Sequence, residues 1–259
     1  MFAHLYGNHL ACGRGCNHLL HLLQARRTED AFCRWLDEVG RDAKAIYLMG
    51  DIFDFWFEYR CVVPQGFTRV LARFAELTRR GVDVVFITGN HDMWCYDYFE
   101  RECGIKIFKT SQIVEIYGKR FHLAHGDNLN IQDKTMLRAM NAFFRSSVAR
   151  WLFRWLVHPD LALRFGRWWS GKSRKSHNSD ELTPSHLNFL VDYARAHRAQ
   201  NSQIDGYIFG HMHYAYRVDE EALHVLFMSD WSQAEATYCV VGSDAQPILK
   251  TFTIDETVS

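Results

Sequence analysis

The chain has 259 residues, and its 30 Lys and Arg balance 30 Asp and Glu, so the formal net charge is zero. Hydrophobic residues make up 48% and charged residues 23%, a composition that is typical of globular proteins and excludes disordered, collagen-like and coiled-coil chains. The balanced charge argues against a basic field over the whole protein for nucleic acid, and no run approaches the roughly 18 apolar residues of a membrane span.

Residues 1–27 differ in composition from the rest of the chain. They contain four His, two Cys and six Leu, and they lack any acidic residue. We therefore treat 1–27 as an atypical N-terminal segment without the features of a secretory signal. The seven cysteines of the chain show no disulfide framework, which favours reduced thiols in a cytoplasmic protein.

Helical and extended patterns alternate from residue 29 onward. Apolar residues at helical spacing predict helices over 29–40 and 65–80, and short apolar runs predict strands over 45–49 and 82–88. Strands over 113–117 and 120–124 are expected to form a hairpin around Gly118. Further strands are predicted over 204–209, 222–228, 237–241 and 248–254.

Four of these predicted strands end in the same way. Each is followed by a glycine or alanine and then by Asp, Asn or His. Functional sites in layered α/β folds are built at strand ends, and four such endings together are hard to explain as ordinary turns. The four endings are Gly50-Asp51, Gly89-Asn90-His91-Asp92, Ala124-His125-Gly126-Asp127 and Gly210-His211-Met212-His213.

The side chains at these endings predict a metal site. Carboxylate, amide and imidazole ligands suit Mn, Fe, Zn or Ni, and a carboxylate such as that of Asp51 has two oxygens that can bridge two ions. Two ions can clamp a phosphoryl group and activate a bridging water. We interpret His91 as a phosphate contact and proton donor, and Asp92 and Asp127 as groups that orient histidines. The candidate ligands are Asp51, Asn90, His125, His211 and His213, and an extended segment would place the last two on one face.

The blocks GDIFDFW (50–56), GNHD (89–92), HGD (125–127) and GHMH (210–213) resemble those of the calcineurin-like metallophosphoesterases in order and spacing. The resemblance implies an αββα sandwich with two divalent metal ions, Mn²⁺ first among them, at the strand ends. Carried over by position, Asp51 bridges the metals, Asn90, His125 and His211 complete one site, and His213 serves the other. The aromatic residues of the first block are expected in the core or in a pocket wall: Phe53, Phe55, Trp56 and Phe57.

Within that family, the segment GDIFDFWFEYR followed by VVP (62–64) is similar to the bacterial UDP-2,3-diacylglucosamine pyrophosphohydrolases of lipid A biosynthesis. That similarity implies hydrolysis of a lipid-linked nucleotide to UMP and 2,3-diacylglucosamine 1-phosphate (lipid X). Many members of that group have arginine where this chain has His91. The alternative is therefore a metallophosphoesterase that acts on a soluble nucleotide, a phosphodiester or a phosphoprotein.

The Asp-x-His block with which the family begins is absent before Asp30. Three explanations remain open: a frameshifted or misassigned start, real divergence with His9, Cys16 or His18 as replacement ligands, and a separate zinc knuckle. The knuckle would use Cys12, Cys16, His18 and His21. A catalytically impaired metal-binding homologue is a further alternative, because the missing block would supply two ligands.

Residues 134–200 interrupt the phosphoesterase pattern, which we assign to core segments 28–133 and 201–259. The insertion has a net charge of +8, four of the eight tryptophans, and a helical apolar stripe over 136–156. It could be a helical cap packed on the core, or a lid that binds an anionic membrane surface on the inner face of the bacterial inner membrane. Nucleic acid fits less well, because the aromatics follow a helical stripe.

Overall fold

The computed structural model describes residues 2–3, 19–130, 135–166, 168, 183–231 and 235–254. Two β-sheets form its centre. The first sheet has six strands in the spatial order β11-β10-β1-β2-β3-β4, and β1 to β4 run parallel to one another. These strands are β1 (Phe2–Ala3), β2 (Ala45–Leu48), β3 (Asp83–Ile87), β4 (Lys106–Phe108), β10 (Glu235–Val241) and β11 (Pro247–Thr253).

The second sheet has five strands in the order β5-β6-β7-β9-β8. Its central strands β6, β7 and β9 are parallel, and antiparallel strands flank them on both sides. The predicted hairpin around Gly118 is confirmed as the pair β5–β6. The five strands are β5 (Gln112–Ile116), β6 (Lys119–Ala124), β7 (Gly206–Phe209), β8 (Tyr216–Glu220) and β9 (Leu223–Phe227).

Helices cover the outer faces of both sheets. Helices α1 and α2 pack on the first sheet, and α7 packs on the second. The inner faces of the sheets meet in one core, to which Phe121, Leu123 and Ile208 of the second sheet contribute. The expected αββα sandwich is therefore confirmed. The helices are α1 (Leu19–Val39), α2 (Thr68–Arg79), α3 (Tyr98–Cys103), α4 (Thr135–Arg145), α5 (Ser147–Leu156), α6 (159–166) and α7 (Asn188–Gln200), and a 3₁₀ turn (Pro184–Leu187) precedes α7.

The side chains of β7 and β9 explain why the second sheet lies between two layers. Successive residues in a strand point to opposite faces, so an apolar run has both faces buried. Ile208 and Leu226 face the first sheet, while Tyr207, Phe209 and Phe227 pack under α7. The carboxyl ends of β2, β3, β6 and β7 consequently lie in the interior between the sheets, where loops can bring polar side chains together.

The insertion contains the helices α4, α5 and α6. The sequence predicted one continuous helical stripe over 136–156. That prediction is wrong, because the structure has two helices there. The helix breaks at Ser146, which has an extended backbone. Its Oγ accepts a hydrogen bond from the Ala149 N–H at 3.4 Å and so caps the start of α5. No helix among the residues that the structure describes is long and apolar enough to cross a membrane.

The predicted division into segments stays a prediction. Helix α1 runs across the proposed boundary at residue 28, and α7 lies inside the proposed insertion although Leu190, Val191 and Ala194 pack against the core sheet. His9, Cys12, Cys16 and His18 lie outside the described residues, and so does the side chain of His21. The three explanations of the N-terminal segment therefore remain as predictions.

Candidate metal centre

The loops after β2, β3, β6 and β7 bring four of the predicted ligands together. Parallel pairing of β2 with β3 places Asp51 beside Asn90, and parallel pairing of β6 with β7 places His125 beside His211. The backbone N–H groups of Gly210 and His211 both donate to the His125 carbonyl, at 3.0 and 2.9 Å, which ties the last two loops together. The candidate site therefore spans the two sheets.

His125 lies at the centre of the cluster. Its Nε2 is 3.3 Å from Asp51 Oδ2, 3.2 Å from Asn90 Oδ1 and 3.2 Å from His211 Nδ1. Ligand atoms of Asp51, His125 and His211 all lie within 4.8 Å of one another. A single imidazole N–H cannot donate to three neighbours at once. A cation, in contrast, attracts the side chain of His125 and all three of its neighbours together.

The other nitrogen of His125 fixes which atom faces the cluster. Nδ1 is 2.9 Å from the Met49 carbonyl oxygen, so it carries the hydrogen and donates it. Nε2 is then the atom available to a metal ion, the arrangement usual for metal-binding histidines. Burial would lower the pKa of His125, yet the charge and hydrogen bond of Asp51 outweigh it and raise the pKa to about 9.

Asp92 is fully buried, and its contacts correct the sequence prediction. Both oxygens accept backbone N–H groups at 2.7 Å, Oδ2 from Ile52 and Oδ1 from Gly89. Asp92 therefore braces the Asp51 and Asn90 loops instead of orienting a histidine. Burial, together with the negative charge of Asp51, raises the pKa of Asp92 to about 7.

Asp127 also differs from its predicted role. Its Oδ2 is 2.9 Å from Arg145 Nη2, so it ties the loop after β6 to the end of α4. The charge of Asp127 still acts on His125 and contributes to the raised pKa of that histidine. The side chain therefore connects the insertion to the cluster electrostatically and mechanically.

The backbone is tightly packed where glycine precedes Asp51 and Asn90. Asp51 has φ +51°, a left-handed conformation that is costly for a non-glycine residue and that clusters at functional sites. A Cβ on Gly89 would fall on Asp51 Oδ1, and a Cβ on Gly50 would lie 2.5 Å from His125 Nδ1. Only glycine allows the strands to approach the ligand side chains this closely.

His213 lies beside His211, with ring centroids 6.3 Å apart. The reasoning from an extended segment is wrong, because residues 210–213 form a turn. The His213 N–H approaches the Gly210 carbonyl at 3.5 Å, and His213 has φ +53°. Its role as a ligand to a second ion stays a prediction.

His91 borders the cluster and a pocket. Its backbone N–H donates to Asp51 Oδ1 at 3.0 Å, and its Nδ1 is 2.9 Å from the Asp54 carbonyl oxygen, to which it donates. The pocket lies between the core and the insertion. Its lining residues are Phe55, Trp56, Asn90, His91, Met93, Trp94, Asn141, Phe144 and Phe165.

The aromatic residues of the first block lie where the sequence predicted. Phe53, Trp56 and Phe57 are fully buried, and Phe55 lines the pocket. Sequence reasoning missed Glu58, whose Oε2 accepts the backbone N–H groups of residues 96, 97 and 98 at the start of α3. Its position as an acidic residue within the aromatic run 53–59 was the available signal.

Comparisons with known proteins agree with this geometry. A model of the calcineurin-like phosphoesterase family matches residues 15–215. A UDP-2,3-diacylglucosamine hydrolase from Porphyromonas gingivalis is 37% identical over 82% of this chain and 85% of its own length. Another protein of that name, from Edwardsiella ictaluri, is 30% identical over 82% of this chain and 77% of its own length.

Among solved structures, an archaeal phosphodiesterase aligns with 86% of this chain and 92% of its own, at 10% identity and a TM-score of 0.45. The family model spans well over half of the chain, and the Porphyromonas relative matches across most of both proteins. This chain therefore belongs to the calcineurin-like phosphoesterase family.

Proposed function

We propose that this chain hydrolyses the diphosphate of UDP-2,3-diacylglucosamine to UMP and 2,3-diacylglucosamine 1-phosphate, a step of lipid A biosynthesis. The observation that carries the proposal is the convergence of Asp51, Asn90 and His211 on His125 Nε2 in a chain of this family. The names of the curated relatives supply the substrate.

The donor set fits divalent metal ions. One carboxylate, one amide oxygen and two imidazoles lie within reach of a common centre. Asp51, Asn90, His125 and His211 would hold one ion, and Asp51 with His213 would contribute to a second. Mn²⁺ is the expected metal, with Fe, Zn and Ni as alternatives. Such ions supply Lewis acidity toward phosphoryl oxygens and lower the pKa of water.

His91 is the residue that we assign to the phosphate. The Nδ1 hydrogen bond to the Asp54 carbonyl orients its ring, and the backbone hydrogen bond to Asp51 fixes its main chain. Nε2 is then the ring atom that faces away from Asp54, and in the imidazolium form it can donate to a phosphoryl oxygen or pass a proton to the leaving oxygen. The fixed orientation favours catalysis, because the His91 side chain loses little conformational freedom when the substrate binds.

The neighbouring pocket suits the apolar part of the substrate. Phe55, Trp94, Phe144 and Phe165 line it, and the last two belong to the insertion. The insertion therefore acts as a lid that shields acyl chains from water beside the metal ligands. Burial of acyl chains against these rings contributes roughly 0.8 kcal/mol per CH₂ group.

We further propose that the insertion attaches the protein to the cytoplasmic face of the bacterial inner membrane. Trp151, Trp155 and Leu156 of α5 are 58%, 54% and 77% exposed, so the stripe is not simply core. Arg138 of α4 and Arg164 of α6 are also exposed, and residues 134–200 have a net charge of +8. Exposed aromatic and basic side chains together suit an interface of anionic lipid.

The membrane proposal is tested with the Trp151→Ala/Trp155→Ala double variant. It should sediment with phosphatidylglycerol vesicles several-fold less than the wild type does, because two interfacial anchors are lost. Ile113→Ala is a matched control, since Ile113 is 51% exposed on β5, outside the insertion. Equal sedimentation of the double variant and the wild type would contradict the attachment.

The hydrolase proposal is tested with a pair of histidine variants. His211→Gln removes a predicted ligand, and we expect at least ~100-fold lower UMP release together with a lower bound-metal content. His224→Gln is the control, because His224 is a half-exposed histidine paired with Asp219 at the surface. Near-normal turnover by His211→Gln would contradict the site. Turnover of soluble phosphodiesters without any release of UMP would favour the alternative substrates.

A further inference from the structure

Three cationic side chains converge on one aromatic ring where the insertion meets the core. Lys109 Nζ lies 5.3 Å from the centroid of the Tyr96 ring, and the guanidinium carbons of Arg150 and Arg154 lie at 5.9 and 4.7 Å. Lys109 follows β4, Tyr96 precedes α3, and both arginines belong to α5. Each cation is attracted to the electron-rich face of the ring.

These three cations have no acidic partner among the residues that the structure describes. No carboxylate there lies within 4.0 Å of Lys109, Arg150 or Arg154. The nearby Glu58 is already occupied, since its oxygens accept hydrogen bonds from backbone N–H groups and from Trp56 Nε1. The cluster therefore carries a surplus of positive charge.

Two further observations show that these cations are partly buried and not fully solvated. The Nε atoms of Arg150 and Arg154 are buried and donate no hydrogen bond within the described part of the chain. Burial lowers the pKa of Lys109, and the positive charge of Arg150 lowers it further. A buried donor without an acceptor destabilises the protein, so an anion that supplied acceptors would be stabilised here.

The elements that carry the cations are held in place. Phe153 of α5 packs on Phe57 and Trp94, with ring centroids 5.0 and 4.9 Å apart. Arg145 donates to the Lys109 carbonyl at 3.0 Å and joins the same segment to Asp127. The three charges are consequently positioned before any ligand arrives, which limits the entropy lost on binding.

We propose that Lys109, Arg150 and Arg154 form a phosphate-binding site separate from the metal ligands. A phosphate group has several oxygens and up to two negative charges, and it matches two planar guanidinium groups together with one ammonium group. The phosphate belongs either to a lipid headgroup or to a free phosphate ion, since α5 also carries the exposed Trp151 and Trp155.

The test uses the reactivity of Lys109 in the metal-loaded protein. Acetylation of Lys109 by an amine-reactive ester is followed by mass spectrometry at the level of single residues. At a phosphate concentration ten times its dissociation constant, the rate should fall roughly tenfold. Sodium chloride at equal ionic strength controls for screening, and Lys106, which pairs with Asp83 at the surface, is the internal reference.

The Arg150→Gln/Arg154→Gln double variant should lose this protection, whereas Arg79→Gln, at the exposed end of α2, should keep it. Vesicles of phosphatidic acid, with phosphatidylcholine vesicles as the reference, form the second arm. Protection by vesicles alone assigns the site to a headgroup, and protection by inorganic phosphate assigns it to the free ion. Unchanged acetylation with both probes, or equal protection in the double variant, would overturn the proposal.

Discussion

His122 makes the folded protein sensitive to acid. The side chain is 2% exposed on β6, and it packs against Tyr193 and His197 of α7 and Tyr207 of β7, with ring centroids 5.9, 4.8 and 5.4 Å away. Burial, followed by the positive charge of His197, lowers the pKa of His122 from 6.5 to about 4. The imidazole is therefore neutral in the folded protein, while the unfolded chain binds a proton below pH 6.5.

The sign and size of the effect follow from this difference. The full free energy of unfolding is present above pH 6.5. As the pH falls toward 4, the difference in the pKa of His122 lowers the free energy of unfolding by about 3 kcal/mol in total. Between pH 7.5 and pH 5 the loss attributable to His122 is about 2 kcal/mol. Urea unfolding of the wild type and of His122→Phe at both pH values measures it, because phenylalanine keeps the ring and removes the titration.

The difference in unfolding free energy between the two proteins should shift by that amount in favour of His122→Phe at pH 5. His122→Gln gives the same comparison with a polar side chain if the phenylalanine variant packs poorly. An equal loss of stability in wild type and variants between the two pH values would refute the reasoning.

Three further predictions concern the site and its supports. Gly89→Ala places a methyl group on the Asp51 carboxylate, so UMP release should fall at least ~100-fold with an unchanged circular dichroism spectrum, whereas Gly242→Ala should keep normal turnover. Arg145→Met leaves Asp127 without its ion pair and should lower the free energy of unfolding in urea by about 1–3 kcal/mol. No measurable change would contradict the conclusion that this pair ties the loop after β6 to α4. Adding Mn²⁺ at 100 times its dissociation constant should stabilise the chelator-treated protein by about 2.7 kcal/mol in the same assay, and no stabilisation would contradict metal binding.

The sequence was most informative where the strands end. A strand that is buried on both faces reads as a continuous apolar run, so the polar residue directly after it is easily recognised. Asp51, Asn90, His125 and His211 were predicted as ligands on that basis, and the parallel pairing of their strands brings these four together. Residue type and position alone do not separate these four from Asp92 and Asp127, which lie at the same strand ends and make other contacts.

The sequence was least informative about what holds those residues. The partners of Asp92 are backbone N–H groups 3 and 40 positions away, and backbone groups leave no mark on residue identity. Arg145 and Asp127 meet across the start of the insertion, in a pairing that charge pattern alone does not specify. The break at Ser146 was hidden because the apolar spacing continues through it.

Hydrolysis of the substrate's diphosphate by the cluster around His125 is the central claim, and product analysis tests it most directly. The chain as it stands is loaded with Mn²⁺ and given UDP-2,3-diacylglucosamine in mixed micelles, and both products are quantified over time. We predict UMP and 2,3-diacylglucosamine 1-phosphate in equal amounts, with turnover abolished by chelation and restored by Mn²⁺. A folded, metal-loaded chain that releases neither product would contradict the account.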